Sequence, residues 1–452
     1  MPLLTDYLAF GNIHFQNKTY LPEMIQSNID EVFRCITQKS ISNSPFVFLF
    51  APNHIKTVYA VFGIIKAGKI CVLVDPGQGK LEVEDMVKTT PPGAIIHVNK
   101  ASDSFNYNEE FEFKHYMLSE AKLQGLDDVC LVLYTAASDG FAKAAMLTYK
   151  NMLADGFALV HNGLLMESVS CSLIGYHHLF AFQTGILAPA LIQSNILIID
   201  SKDFTSLRET GTQFVENKID HLYTVPMVFN FLKKIPGIEQ CFKNAKNIVS
   251  GGCKLNSHLF NIYKDLFGVE IHEGYGLTEA SPICAWHRPL DSIKIDSVGR
   301  AFSCCEIMIL NTDGQKLEQG KTGEICIKGE NVFKGYYNNI PSTEDSLKNG
   351  ILHTGDLGKL DDDGYLYLTG LKKEMLNLSG NKVYPAEVAR LIKKHCNVLT
   401  CEIKGRETES NQPSVIATVR LRNSTETSQK DLKHWCRENI TGYKVPREWV
   451  FI

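Results

Sequence analysis

The chain has 452 residues, 44% of them apolar and 21% charged, with a net charge of −4. This length is too great for one compact core and enough for two or three units. The composition excludes a disordered chain, and the charge argues against nucleic acid or an anionic membrane as the main partner.

The N-terminal "MPLLTDYLAF" lacks a basic region and carries Asp6 early, so it does not read as a secretory signal. From Thr57 to Gly68, "TVYAVFGIIKAG" reads as a helix closed by glycine. "KICVLVDP" follows as a strand stopped by Pro76, and "VCLVLYT" is a second buried strand. This strand runs into "YTAASDGFAKAAMLTYKN", a turn followed by a predicted helix. The longest uncharged run, Ser168 to Ile199, is broken by His177, His178, Gln183 and Gln193, so it reads as buried core rather than a membrane span. "HLYTV", "KNIVSGG" and "VEIHEGYG" are short strands ending in turns, separated by helical runs such as Ser257 to Phe267. Strands alternating with helices predict an α/β fold, a mostly parallel sheet with flanking helices.

From about Ser297 the texture changes. "EIMILNTDGQKL", "GEICIKG" and "KLDDDGYLYLTG" alternate apolar and polar residues around Asp-Gly turns, predicting an antiparallel β-hairpin unit over about 297–370. Beyond Gly370, "PAEVARLIKKH" opens a helix with Pro385 in its first turn, "SVIATVRL" is a strand and "SQKDLKHWCREN" a helix. The expected organisation is a large domain over residues 1–370 and a small α+β lid over 371–452. Thirteen cysteines, irregularly spaced and without a C-x-x-C pair, predict reduced thiols in a cytoplasmic protein. Adjacent Cys304 and Cys305 fall on opposite faces of a strand, a poor zinc signature.

In folds of this class ligands sit at the carboxyl ends of the strands. Those ends hold Ser138, Gly140, Lys143, Gly251, Gly252, Gly274, Gly276, Thr278 and Glu279. Hydroxyls and backbone N–H groups suit phosphate oxygens, lysine adds a point charge, and a neighbouring glutamate suits Mg²⁺. The first turn is not the Walker form.

The order of the motifs is more specific than any one of them. A Ser/Thr/Gly turn with lysine, "SGG", "YGLTE", "TGD" and "GNKVYPAEV" follow one another. Together they resemble the adenylate-forming superfamily of acyl-CoA and aryl-CoA synthetases, peptide-synthetase adenylation domains and firefly-type luciferases. The resemblance runs from "IIKAGKICVLVDP" to "GYKVPRE". It implies an ATP-dependent ligase that activates a carboxylic acid as its acyl-adenylate and passes the acyl group to coenzyme A or to the phosphopantetheine of an acyl carrier protein.

By position, the resemblance assigns Thr135, Ser138, Gly140 and Lys143 to the phosphate loop. Thr278 and Glu279 match the residues on the α-phosphate and Mg²⁺, and Asp356 matches the carboxylate on the ribose hydroxyls. Ser250, Gly251 and Gly252, with Glu273, Gly274, Tyr275 and Gly276, match the lining of the adenine and acyl pocket. His178 stands where related synthetases carry a histidine near the substrate carboxylate, and Lys373 stands at the hinge pivot. Leu179 and Phe180 occupy the neighbourhood where amino-acid-activating members place an aspartate for the α-ammonium. An unpaired ammonium there would be costly, so the expected substrate is a fatty or aryl acid without an α-amino group.

The chain also departs from the family. The family loop reads approximately Y-[ST]-S-G-[ST]-T-G-x-P-K-G. Here Ala136 replaces a serine, Ala137 and Ala144 replace glycines, Ala142 replaces proline and Asp139 replaces a hydroxyl residue. A carboxylate opposes a polyphosphate, and alanine restricts positive φ where a glycine is needed. Leu371 stands where the family carries a ribose-binding arginine. The sequence stops at Ile452 before the family's P-x-T-x-x-G-K motif, and Lys444 in "YKVP" is a poor substitute for its lysine. These departures hold open a second reading, a degenerate member that binds nucleotide, acyl-adenylate or a protein partner without turnover.

Overall fold

The computed structural model describes residues 4–39, 42–116, 118–136, 140–161, 163, 168–200, 212–214, 216–235, 237–243, 245–288, 291–371, 376–378, 381–406 and 414–452. The chain divides into two compact units. The first comprises Met1–Asp75, Pro92–Leu133 and Ala145–Gly370; the second comprises Pro76–Pro91, Tyr134–Ala144 and Leu371–Ile452. The second unit therefore contains more than the C-terminal residues. A helix, Lys80–Thr89, and the turn at Gly140 belong to it as well.

Two sheets organise the larger unit. One has seven strands and is parallel at its centre, where Phe46–Phe50 lies between Ile70–Val74 and Ala94–His97, and Ile70–Val74 pairs in turn with Val129–Thr135. "FVFLF" and "ICVLV" are apolar throughout because both faces of a central parallel strand are covered. Helix Ile55–Lys66 packs in the same core with Ile55, Val58, Phe62 and Ile65 fully buried. Its first turn is capped by His54, whose ring nitrogen accepts from Lys56 N.

The second sheet is longer. Asn195–Ile198, Val169–Ser172, His221–Thr224, Asn247–Ser250 and His272–Gly276 run parallel in that spatial order. Ile283–Trp286 then pairs antiparallel with His272–Gly276, and Ser297–Ala301 antiparallel with Ile283–Trp286. Through these two strands the hairpins Cys305–Leu310, Gly323–Gly329, Ile351–Leu360 and Tyr365–Leu371 continue the same sheet. The hairpin chemistry read from the sequence is present, but as an extension of the parallel sheet. Backbone groups at an unpaired edge need partners, and Ile283–Trp286 supplies them without a break.

The smaller unit is built on Val398–Arg406 paired antiparallel with Ser414–Leu421, which pairs parallel with Glu448–Phe451. Helix Pro385–Ile392 starts at its proline and buries Val388, Leu391 and Ile392. Val415, Val419, Leu432 and Cys436 complete that core. Within this unit Lys444 is enclosed by two carboxylates. Its Nζ donates to Glu82 Oε1 at 2.6 Å and to Glu387 Oε1 at 2.7 Å, with all three side chains at most 6% exposed. Thr441 N donates to Glu82 Oε2 at 2.8 Å, so helix Lys80–Thr89 is fastened to the C-terminal segment by a charged knot. Burial alone would lower the Lys444 ammonium, but Tyr443, Glu387 and Glu82 carry its pKa upward. A lysine held in this way links the helix Lys80–Thr89 to the C-terminal segment.

Candidate active site

The segment Glu273–Glu279 carries most of the candidate residues of the larger unit. Strand His272–Gly276 ends, Leu277 turns, and Thr278–Ala280 forms one turn of 3₁₀ helix. The turn depends on Gly276. Leu277 N donates to Pro282 O at 2.8 Å, and a Cβ on Gly276 would lie 1.8 Å from that oxygen. No other residue fits so close an approach of two backbones.

This strand and turn bring two tyrosine–carboxylate pairs together. The Tyr275 hydroxyl donates to Asp356 Oδ2 at 2.6 Å, and the Tyr336 hydroxyl donates to Glu279 Oε1 at 2.8 Å, all four groups being buried. Burial, with Asp356 beside it, pushes the Tyr275 phenol well above its ordinary range, so it stays a donor. Thr354 Oγ1 accepts from Asp356 N and donates to Ile325 O, which fixes the backbone on which Asp356 is mounted. Glu279 is held from the other side as well, its carbonyl accepting from Phe333 N. Asn331 donates to the carbonyls of Ala280 and Ile283 at 3.0 and 3.2 Å and so secures the far end of the turn. Tyr336 and Asn331 were not among the sequence candidates. Their only sequence signal is their place in "GENVFKGYY", a stretch without a chemical motif.

Strands His221–Thr224 and Asn247–Ser250 end beside this turn, with Thr224 paired to Ser250 and Ser250 to Glu273. The Thr224 and Ser250 hydroxyls are buried with no hydrogen-bond partner among the described residues. Two unsatisfied hydroxyls at strand carboxyl ends are a reason to expect a polar ligand there. Gly251 follows, and a Cβ on it would lie 2.9 Å from the Phe180 ring. Gly252 takes φ +77. Glu273 also has a partner within the chain. Its Oε1 accepts from Leu255 N at 2.8 Å and so ties the strand to the loop after "SGG". Burial raises its carboxyl to about 7.

His178 immediately precedes the short helix Leu179–Phe182 but makes no capping bond with its side chain. Its ring lies 4.3 Å from that of His177, whose Nε2 is 3.7 Å from Asp75. Burial, reinforced by His177, lowers the His178 imidazolium to about 3. The ring is therefore neutral at physiological pH, a hydrogen-bonding group and not a charge. Leu179 is buried in the main core, while Phe180 packs against Gly251 and lies edge-on to Tyr223.

The loop residues belong to the second unit. Gly140 takes φ +84, and its carbonyl accepts from Arg390 Nε at 2.6 Å. The Arg390 guanidinium lies over Phe141 at 4.4 Å and donates to Asp85 Oδ2 at 2.9 Å. Thr135 closes strand Val129–Thr135, and Lys143 opens strand Lys143–Thr148. Ala144 is the second residue of that strand, buried, and absent from the positive-φ residues. The sequence expectation that alanine is strained there is corrected, because an extended strand residue needs no glycine. Ser138, Ala137, Asp139 and the hinge candidate Lys373 lie outside the described residues. All thirteen cysteines are free thiols. No helix among the described residues is long and apolar enough to cross a membrane.

Comparison with known proteins places the chain among similar sequences and folds. The family model described as AMP-binding enzyme matches residues 27–337. A long-chain-fatty-acid–CoA ligase of Escherichia coli O6:H1 is 25% identical over 460 residues, covering 89% of this chain and 81% of that protein. A 4-coumarate:CoA ligase of Petunia hybrida is 24% identical over 472 residues, covering 96% and 86%. Among solved structures, an o-succinylbenzoate CoA synthetase of Bacillus subtilis shares the fold with a TM-score of 0.84 at 20% identity, covering 99% of this chain and 94% of that one.

Proposed function

This chain belongs to the AMP-binding enzyme family of adenylate-forming proteins, and on that premise we propose that it is an acid–CoA ligase acting on a fatty or aryl acid without an α-amino group. In the first step a carboxylate oxygen attacks the α-phosphorus of ATP and the bond to pyrophosphate breaks. In the second a thiol attacks the acyl carbon and AMP leaves. Coenzyme A is the acceptor used by the relatives named above; an acyl carrier protein is the alternative.

The observation that carries the reading is the continuous segment Glu273–Glu279, with Tyr275 on Asp356 and Tyr336 on Glu279. Asp356 accepts from the ribose hydroxyls, and Tyr275 holds the carboxylate for them. The Thr278 hydroxyl donates to the α-phosphate. Glu279 fits a Mg²⁺ ion, because a buried carboxylate steadied by one tyrosine resembles the sparse protein ligation of magnesium bound with phosphates. When bound, that ion neutralises phosphate charge. His178, as a neutral ring, donates to the substrate carboxylate without fixing it as an ion pair. Lys143 and the Gly140 turn serve the outer phosphates, and Lys373 the hinge. Phe180 against Gly251 presents apolar surface to the acid and supports a non-amino substrate.

Pyrophosphate release across a panel of fatty, aryl and amino acids, with and without coenzyme A, tests this. Turnover with a simple acid and none with amino acids is expected. Exchange with an α-amino acid alone would overturn the substrate class. AMP binding with no turnover on any acid would favour the degenerate reading, which draws on Asp139 and Leu371 in the sequence.

A further inference from the structure

We propose that Glu324, Cys326 and His353 form a binding site for a zinc-class divalent cation. Strands Gly323–Gly329 and Ile351–Leu360 pair antiparallel, with Cys326 directly opposite His353. Glu324 and Cys326 are two residues apart on one strand, and although the pairing register shifts between them, both side chains reach His353. Glu324 Oε2 lies 3.1 Å from His353 Nδ1, and Cys326 Sγ lies 3.5 Å from the same nitrogen. The three donor atoms all fall within 4.8 Å of one another. Cys326 is fully buried, and the Glu324 and His353 side chains are 11% and 17% exposed.

The two spacings from His353 Nδ1 are close to those of a coordination shell. Tetrahedral zinc with bonds of about 2.0–2.1 Å to N and O and about 2.3 Å to S puts its ligand atoms roughly 3.3–3.6 Å apart. Both contacts to Nδ1 lie at or near that range. The chemistry points the same way. One ring nitrogen faces both a carboxylate and a thiol, yet its single proton serves only one of them. A cation in place of that proton takes a lone pair from all three groups and releases the thiol proton. Imidazole, thiolate and carboxylate together favour zinc over magnesium or calcium, and three protein ligands leave a fourth position for water. The second carboxylate oxygen of Glu324 accepts from Gly355 N at 3.2 Å, which orients the ligand. Gly355 precedes Asp356, so an occupied site would also stiffen the backbone beneath that carboxylate.

The test is a Co²⁺ titration of the metal-free full chain, followed by displacement with Zn²⁺. One equivalent of cobalt with a thiolate-to-cobalt charge-transfer band, abolished by one equivalent of zinc, is expected. Cys326→Ser should remove the band, while Cys304→Ser should leave it. Glu324→Gln, which keeps the shape of the residue, should retain the band and weaken binding at least about tenfold. Absence of a charge-transfer band in the parent chain, or its persistence in Cys326→Ser, would overturn the proposal. Unchanged cobalt affinity in Glu324→Gln would likewise show that the three residues are only a hydrogen-bonded group.

Discussion

Asp356 and Tyr275 are the residues on which nucleotide binding is expected to turn. Asp356→Ala should weaken AMP binding at least about tenfold in calorimetry, since hydrogen bonds to a charged group contribute about 1.5–3 kcal/mol. Tyr275→Phe should weaken it less, by about 1 kcal/mol, because the carboxylate remains but is no longer held. An unchanged Kd for Asp356→Ala removes the ribose assignment. Glu273 gives a pH signature. Its carboxyl is raised from 4.5 to about 7 by burial, so the folded chain holds that proton more tightly than the unfolded chain. The stabilisation is complete below pH 4.5 and is lost as pH rises through about 7. Glu273→Gln, which still accepts from Leu255 N, should therefore lie closest to the parent at low pH and gain stability relative to it above pH 7, read as the difference in urea midpoint. His178 gives the opposite signature. With its pKa at about 3, His178→Ala should lower kcat/KM yet leave any inflection between pH 5 and 8 where it was.

At the scale of elements, the Glu82–Lys444–Glu387 knot and the strand at Ala144 make contrasting predictions. Lys444→Met leaves two buried carboxylates without their cation and should cost about 3–5 kcal/mol in denaturant unfolding of the second unit. Adding Glu82→Gln and Glu387→Gln to that variant should recover much of the loss, because the uncompensated charges are then gone. A loss below about 1 kcal/mol for Lys444→Met would mean that the knot is stabilised by packing and not by charge. Ala144→Gly should bring no gain in ATP affinity and cost about 0.5–1 kcal/mol, since a buried strand position favours alanine over glycine. This reverses the expectation drawn from the loop sequence, where every glycine of the family pattern counted alike.

For the whole molecule, the question is how two units share one set of motifs. The turn at Gly140 and helix Lys80–Thr89 group with the C-terminal residues through Arg390 on the Gly140 carbonyl, Arg390 on Asp85 and Lys444 on Glu82. Nothing in the one-dimensional pattern placed Glu82 or Asp85 in that company. Glu82 is buried, with a lysine more than 350 residues later donating to its carboxylate.

Local periodicity and turn chemistry were legible in the residues alone. Helix Ser257–Phe267 lies where the spacing predicts it, since Asn256 and Gly268 mark its ends through their own side chain and backbone freedom. "YGLTE" and "HTGD" were singled out in the sequence through their resemblance to the family's motifs, and the structure shows their tyrosine and carboxylate bonded to one another. What only the tertiary structure decided is pairing at long range. Tyr275 finds Asp356 across 81 positions, Tyr336 finds Glu279 across 57, and Cys326 meets His353 across 27. The first and third of these pairs are set by strand order and register in the long sheet, where a slip of one residue would send a side chain to the opposite face, while Tyr336 reaches the Thr278–Ala280 turn from a strand of the other sheet. A sequence records which groups are available; the register of its sheets determines which of them share a proton, a nucleotide or a metal ion.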